Sequence, residues 1–217
     1  MLVRFCCAVA LCLLAIATTG ARADGITVEV TDREGQPVPD VAVFANLPAA
    51  LSAPAGTSAV MDQVDQRFVP HMLVVQTGTK VEFPNSDTVA HHVYSFSHPN
   101  HFKLPIYKGH AHPPVSFEES GIVVLGCNIH DHMLAYIVVV DTPVFAKTDA
   151  NGVAVLDAAP AEGMHVAIWS PRLRDDDADL SVAISDANAG SAIAFQLKKG
   201  LRPPHEDQSE VLSWSEY

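Results

Sequence analysis

Gly126-Cys127-Asn128-Ile129-His130-Asp131-His132-Met133 joins two apolar runs with β-character, Ile122–Gly126 and Ala135–Val140. A thiolate, an imidazole three residues on and a thioether three further form one short loop. Soft sulfur combined with imidazole nitrogen is a donor set that suits copper. If Ile122–Gly126 is a strand, it delivers Cys127 to its end, and His130 and Met133 lie on the tight turn that follows. Three donors from one loop can then face one ion. The remaining donor has to come from elsewhere, and His91-His92 lies upstream in a run that also reads as a strand. Such a site needs a rigid β-scaffold, because a one-electron centre reorganises least when its ligands are fixed.

The rest of the chain is compatible with that chemistry. The N-terminus, MLVRFCCAVALCLLAIATTGARADG, has one arginine, an apolar stretch and Ala21-Arg22-Ala23, the pattern of an export signal cut before Asp24. The apolar run is short for a membrane span, and no later segment reads as one. Cleavage removes Cys6, Cys7 and Cys12, leaving Cys127 alone. Exported proteins often use cysteines in pairs, so a lone one calls for a different role. With Arg4 and Arg22 gone, 11 of the 13 basic residues face 25 acidic ones. That balance disfavours nucleic acid and anionic lipid as partners. The expected location is the periplasm.

Short runs rich in Val, Ile, Phe and Tyr, broken by Gly, Pro, Asp and Asn, recur along the chain. Expected strands are 26–31, 41–47, 72–76, 80–83, 91–96, 115–117, 122–126, 135–140, 153–156, 166–169, 180–184 and 193–197. A short helix is expected at Asp62–Arg67. Fifteen prolines disfavour long helices, and the pattern predicts an all-β sandwich or barrel. Nine of the eleven histidines fall between Met61 and Asp141. The expected organisation is a signal at 1–23, a metal-binding domain at 58–141, a β-sandwich split between 24–57 and 142–200, and a polar tail at 201–217.

Two resemblances sharpen this. Asp32–Val38 (DREGQPV) and Thr148–Gly152 (TDANG) resemble the turns of a carboxypeptidase-regulatory-like β-sandwich, which implies that the flanks form one domain around an insertion. The stretch from Phe68 to Asp141 resembles a cupredoxin of the plastocyanin and amicyanin kind, through GTKVEFPNSDTVAHHVYSF (Gly78–Phe96) and GCNIHDHMLAYIVVV (Gly126–Val140). The combined architecture resembles periplasmic proteins labelled methylamine-utilisation proteins. These resemblances imply a Greek-key cupredoxin sandwich beside a second sandwich. They also imply one type 1 copper held by His91, Cys127, His130 and Met133.

The assignment of His91 rests on Asn85, which stands six residues before it as in the family. Strand alternation pulls the other way, because it groups His92 with Tyr94 and Phe96. His132 competes with His130, since some cupredoxins have the histidine five residues after the cysteine, but in those Met is further on. Taken singly, a buried Cys, a core Met and a surface His are the commoner explanations; their joint spacing favours a metal. His98, His101, His110 and His112 form a histidine-rich loop in which His110 and His112 could take a second ion. Met61 and His71 have no spacing that ties them to such a site. An exposed loop with incidental histidines is the plainer account.

The function expected is single-electron transfer to a redox protein partner, with Ile129 and Leu134 as an apolar docking patch. The alternatives are a copper-binding or delivery protein and an adhesion or structural module in which copper only stabilises. An enzyme is disfavoured, because four protein ligands leave no open position for substrate.

Overall fold

The computed structural model describes residues 25–46, 56–109, 112–176, 180–185 and 191–205. The expected signal and most of the polar tail lie outside the described residues. In chain order the strands are β1 (Ile26–Thr31), β2 (Ala42–Asn46), β3 (Ser58–Val60), β4 (Asp62–Val64), β5 (Arg67–Val69), β6 (Met72–Gln76), β7 (Thr79–Glu82), β8 (Tyr94–Ser95) and β9 (Phe102–Lys103). They continue with β10 (Val115–Phe117), β11 (Gly121–Gly126), β12 (Leu134–Val140), β13 (Phe145–Lys147), β14 (Val153–Leu156), β15 (His165–Trp169), β16 (Ser181–Ala183) and β17 (Ile193–Gln196). Among the described residues there is no α-helix, so the chain is all-β as its residue pattern predicts. No helix there is long and apolar enough to cross a membrane.

Two apolar cores organise these strands. The first draws on the two ends of the described chain. In one sheet β1 runs antiparallel to β14 and parallel to β17; in the other the order is β13-β2-β15-β16. Val28, Val30, Val43, Leu156, Val166, Ile168 and Phe195 fill the space between them. The Asp-containing turns are built as their composition predicts. Asp32 Oδ1 accepts from Glu34 N and Gln36 N, and Asp149 Oδ1 accepts from Asn151 N and Val153 N. Gly152 is obligatory at its position: its φ is +72°, and a Cβ there would lie 2.5 Å from the Val30 carbonyl oxygen. Thr148 ties the halves together, its hydroxyl accepting from Val41 N and donating to Val38 O.

The second core holds the candidate site. One sheet has the order β6-β12-β11-β8-β9, the other β10-β7-β3, and β4 and β5 form a separate hairpin. Val81, Phe117, Val123, Leu125, Ile137 and Cys127 are buried together between them. Each large side chain there contributes roughly 1.5–3 kcal/mol by leaving water. Strand β12 is buried on both faces. Ala135, Ile137 and Val139 enter this core, while Val138 and Val140 join Ala42, Met72, Phe44 and Trp169 in a third cluster where the two units meet. Period-two alternation on one strand thus welds the cores.

Two local expectations fail. Asp62–Arg67 is not a helix but the turn region of the β4–β5 hairpin, with Gln63 opposite Phe68 and Val64 opposite Arg67. Asp65 and Gln66 have φ of 49° and 57°, the paired left-handed values of a tight hairpin turn. Gln is an unusual residue there, so the usual Asn-Gly or Asp-Gly signal is missing. The expected strand 91–96 is also mostly irregular. Only Tyr94–Ser95 is strand, and His91 instead exchanges two backbone hydrogen bonds with Tyr107, both 3.0 Å.

Candidate metal centre

The break in the 91–96 run decides how the two histidines are placed. Without continuous alternation both are buried, His91 completely. His92 turns its ring toward Tyr94, with centroids 5.3 Å apart, and contributes only its backbone to the site: His92 N–H donates to Cys127 Sγ at 3.4 Å. His91 faces the loop. Its Nδ1 lies 3.1 Å from His130 Nδ1, and His130 Nδ1 lies 4.0 Å from Cys127 Sγ. Donor atoms of His91, Cys127 and His130 all fall within 4.8 Å of one another. Among the described residues this is the one group of three or more His, Cys, Asp or Glu side chains so converged.

Cys127 is delivered by β11, immediately after Gly126 pairs with Tyr94 and Leu134. Gly126 gives the room for this: a Cβ would stand 2.8 Å from the Tyr94 ring and hydroxyl. The loop then closes on itself, with Met133 N donating to His130 O at 2.9 Å before β12 begins. Met133 is buried in the same core as Cys127. Of the four residues singled out by spacing and resemblance, the structure converges His91, Cys127 and His130 and buries Met133 in the core that holds Cys127.

Asp87 completes the arrangement. Its Oδ2 lies 2.9 Å from His91 Nε2 and also accepts from Gln66 N, while Oδ1 accepts from Thr88 N. The hydrogen bond from His91, reinforced by the backbone donors, lowers the Asp87 carboxyl to about 2. An ionised carboxylate only accepts, so Nε2 carries a proton, and Nδ1 is the ring nitrogen turned toward His130. His130 is pushed below its ordinary value by burial first and then by the neighbouring His91 and His132, with Asp87 opposing. His92 is likewise lowered, chiefly by burial. Asp87 escaped the sequence reading because no periodicity links it to His91 outside a helix.

These residues fit a soft or borderline metal ion. An ion ~2.0 Å from nitrogen and ~2.3 Å from sulfur would subtend roughly 100° across the 3.1 Å His91–His130 pair and roughly 140° across the 4.0 Å His130–Cys127 pair. Two imidazoles and a cysteine sulfur are a donor set that suits copper.

The remaining histidines are dispersed. His98 and His101 are exposed, and His112 rests edge-on against Tyr107 at 4.8 Å. His110 lies outside the described residues, so the pair at 110 and 112 is not placed. Met61 is fully buried in the second core, and His71 packs edge-on against Tyr136. His132 is exposed on the loop, 6.1 Å from His130 ring to ring.

No family model matches the chain, and no curated protein does. Part of the chain is similar to solved structures. A purple cupredoxin from Nitrosopumilus maritimus is 22% identical, covering 37% of this chain and 98% of that one, with a TM-score of 0.34. A variant of amicyanin in its reduced Cu(I) form is 24% identical, covering 44% of this chain and 98% of that one, with a TM-score of 0.35. A copper-containing nitrite reductase from Thermus scotoductus is 23% identical over 51% of this chain and 28% of that one, with a TM-score of 0.36.

Proposed function

We propose that this protein is a periplasmic type 1 copper protein that passes single electrons to a redox protein partner. The observation that carries the reading is the convergence of two imidazole nitrogens and one cysteine sulfur within 4.8 Å of one another. His91, Cys127 and His130 are the proposed strong ligands and Met133 the weak axial one, on a domain spanning 58–141. The segments 24–57 and 142–200 form its companion sandwich. When bound, copper would supply the one-electron Cu(II)/Cu(I) couple.

The protein's own groups do the rest. Cys127 offers a soft thiolate whose charge is steadied by the His92 N–H. Asp87 holds the His91 ring and its tautomer. Phe117, Val123, Leu125 and Ile137 keep water from the interior side. His130 is the donor nearest solvent, and the exposed Ile129 beside it is an apolar contact for the partner. With four protein ligands, no position remains for substrate, which favours a carrier over an enzyme.

Purified protein given Cu(II) should turn blue through thiolate-to-copper charge transfer, and Cys127→Ser should abolish the colour. A colourless Cu(II) adduct of the intact protein would refute the reading. Copper delivery is the second reading, favoured by the exposed His132, 6.1 Å ring to ring from the half-exposed His130. It requires more than one Cu per chain and rapid exchange with a competing chelator.

A further inference from the structure

Residues 201–205, the start of the expected polar tail, cross from the first core to the metal loop. Leu201 packs on the first core. Arg202 then anchors the segment to the turn after β15: its N–H donates to Arg172 O at 2.8 Å, and its Nη1 donates to Pro171 O at 3.0 Å and to Leu173 O. Arg172 Nε returns a bond to Arg202 O at 3.2 Å. Pro203 and Pro204 follow, which stiffen the backbone. At the end of this strut His205 Nε2 lies 2.7 Å from the carbonyl oxygen of His132. A carbonyl can only accept, so Nε2–H donates and the tautomer is set.

The imidazole of His205 is itself held in place. It stacks on His71 with centroids 5.9 Å apart and planes 13° from parallel. His71 meets Tyr136 edge-on at 5.5 Å, accepts from Tyr136 N through its carbonyl, and Tyr136 in turn packs on Trp169 of the first unit at 5.6 Å. His132 stands between His130 and Met133 in a loop whose own closure is the single bond from Met133 N to His130 O. Exposed loops with few internal bonds open easily, and a second tether from outside the loop limits that opening.

We propose that His205 is a positioning residue: the tail of the flanking sandwich braces the 128–133 loop and holds His130 and Met133 in register with Cys127 and His91. The purpose of the brace rests on the metal reading above, but its existence does not.

The test is amide exchange by NMR on the full, metal-free protein, with copper loading as a separate measurement. His205→Leu should speed exchange at the Met133 amide about five-fold, the effect of one neutral hydrogen bond on a local opening. Val123 and Ile137, in the β11–β12 ladder, should be unchanged. His205→Gln, which keeps a side-chain N–H donor, should restore most of the protection. In the Cu(II)-loaded protein, His205→Leu should release metal to a chelator several-fold faster, and His205→Gln should not. Unchanged Met133 exchange in His205→Leu overturns the proposal. So does equal acceleration at Val123 and Ile137, which would mean general destabilisation, and so does failure of His205→Gln to recover. Absence of copper binding in the unaltered protein would overturn the metal reading while the exchange result still decides the brace.

Discussion

Replacing Asp87 by Ala removes the acceptor that fixes the His91 ring. In the intact protein the His91 side chain is fully buried and that of Asp87 only 7% exposed, so water has little access to the 2.9 Å contact between them. Two consequences follow. The His91 Nε2–H loses its partner in a site that cannot readily supply another. The ring is also free to take the other tautomer, which puts a proton on Nδ1, the atom that faces His130 at 3.1 Å. A proton there must be displaced before metal can bind. Loss of such an outer partner typically lowers metal affinity 10–100-fold, and that is the range expected here. Asp87→Asn keeps one carbonyl acceptor and should fall between the two. The assay is a chelator competition for Cu(I) and Cu(II), paired with nitrogen NMR of the His91 ring in metal-free protein. A single Nε2-protonated tautomer is expected before the substitution and a mixture after it. Affinity that changes by less than about two-fold, with the tautomer unmoved, would refute the positioning argument.

Two further outcomes test the scaffold. Gly152→Ala forces a side chain into φ +72° with its Cβ 2.5 Å from the Val30 carbonyl oxygen, so it should cost at least ~2 kcal/mol in urea unfolding followed by circular dichroism. The Asp149 carboxyl is held below its ordinary value by the backbone N–H of Val153 and then of Asn151. Its folded value is depressed, so its contribution is full above the unfolded value and is lost as pH falls through the folded one. The unsubstituted protein should therefore lose stability more steeply below about pH 4 than Asp149→Asn does, and parallel acid titrations of the two would count against this.

What the sequence made legible follows the range of the interactions. Cys127, His130 and Met133 lie within seven residues, so their spacing alone shows that one loop can carry them. The turns at Asp32 and Asp149 are equally local, because an Asx side chain caps its own backbone. The choice between His91 and His92 was not local. It depended on alternation persisting to residue 91, and the exchange of bonds with Tyr107, sixteen residues on, stops it. The 62–69 segment misled for a related reason: its turn uses Asp65-Gln66, whose left-handed backbone is imposed by the pairing of Gln63 with Phe68 rather than announced by glycine. Asp87 and His205 carry no pattern at all. Each is defined by one contact that exists only after folding.

That distinction bears on how the centre is made. His91 is fastened by its bridge to Tyr107 and by Asp87, and Cys127 by the end of β11. His130 is fastened by a loop closed at one end by Met133 and touched at the other side by His205. None of these restraints involves a metal, and the donor separations of 3.1 and 4.0 Å are already present. A metal ion arriving here would meet donors carried on elements that are already fixed, which would leave less ordering entropy to overcome. The weakest restraint is the loop, which carries the most exposed of the three converged donors. Stability of the two cores and rigidity of the site are thus linked through β12, which is buried on both faces and begins where the loop ends.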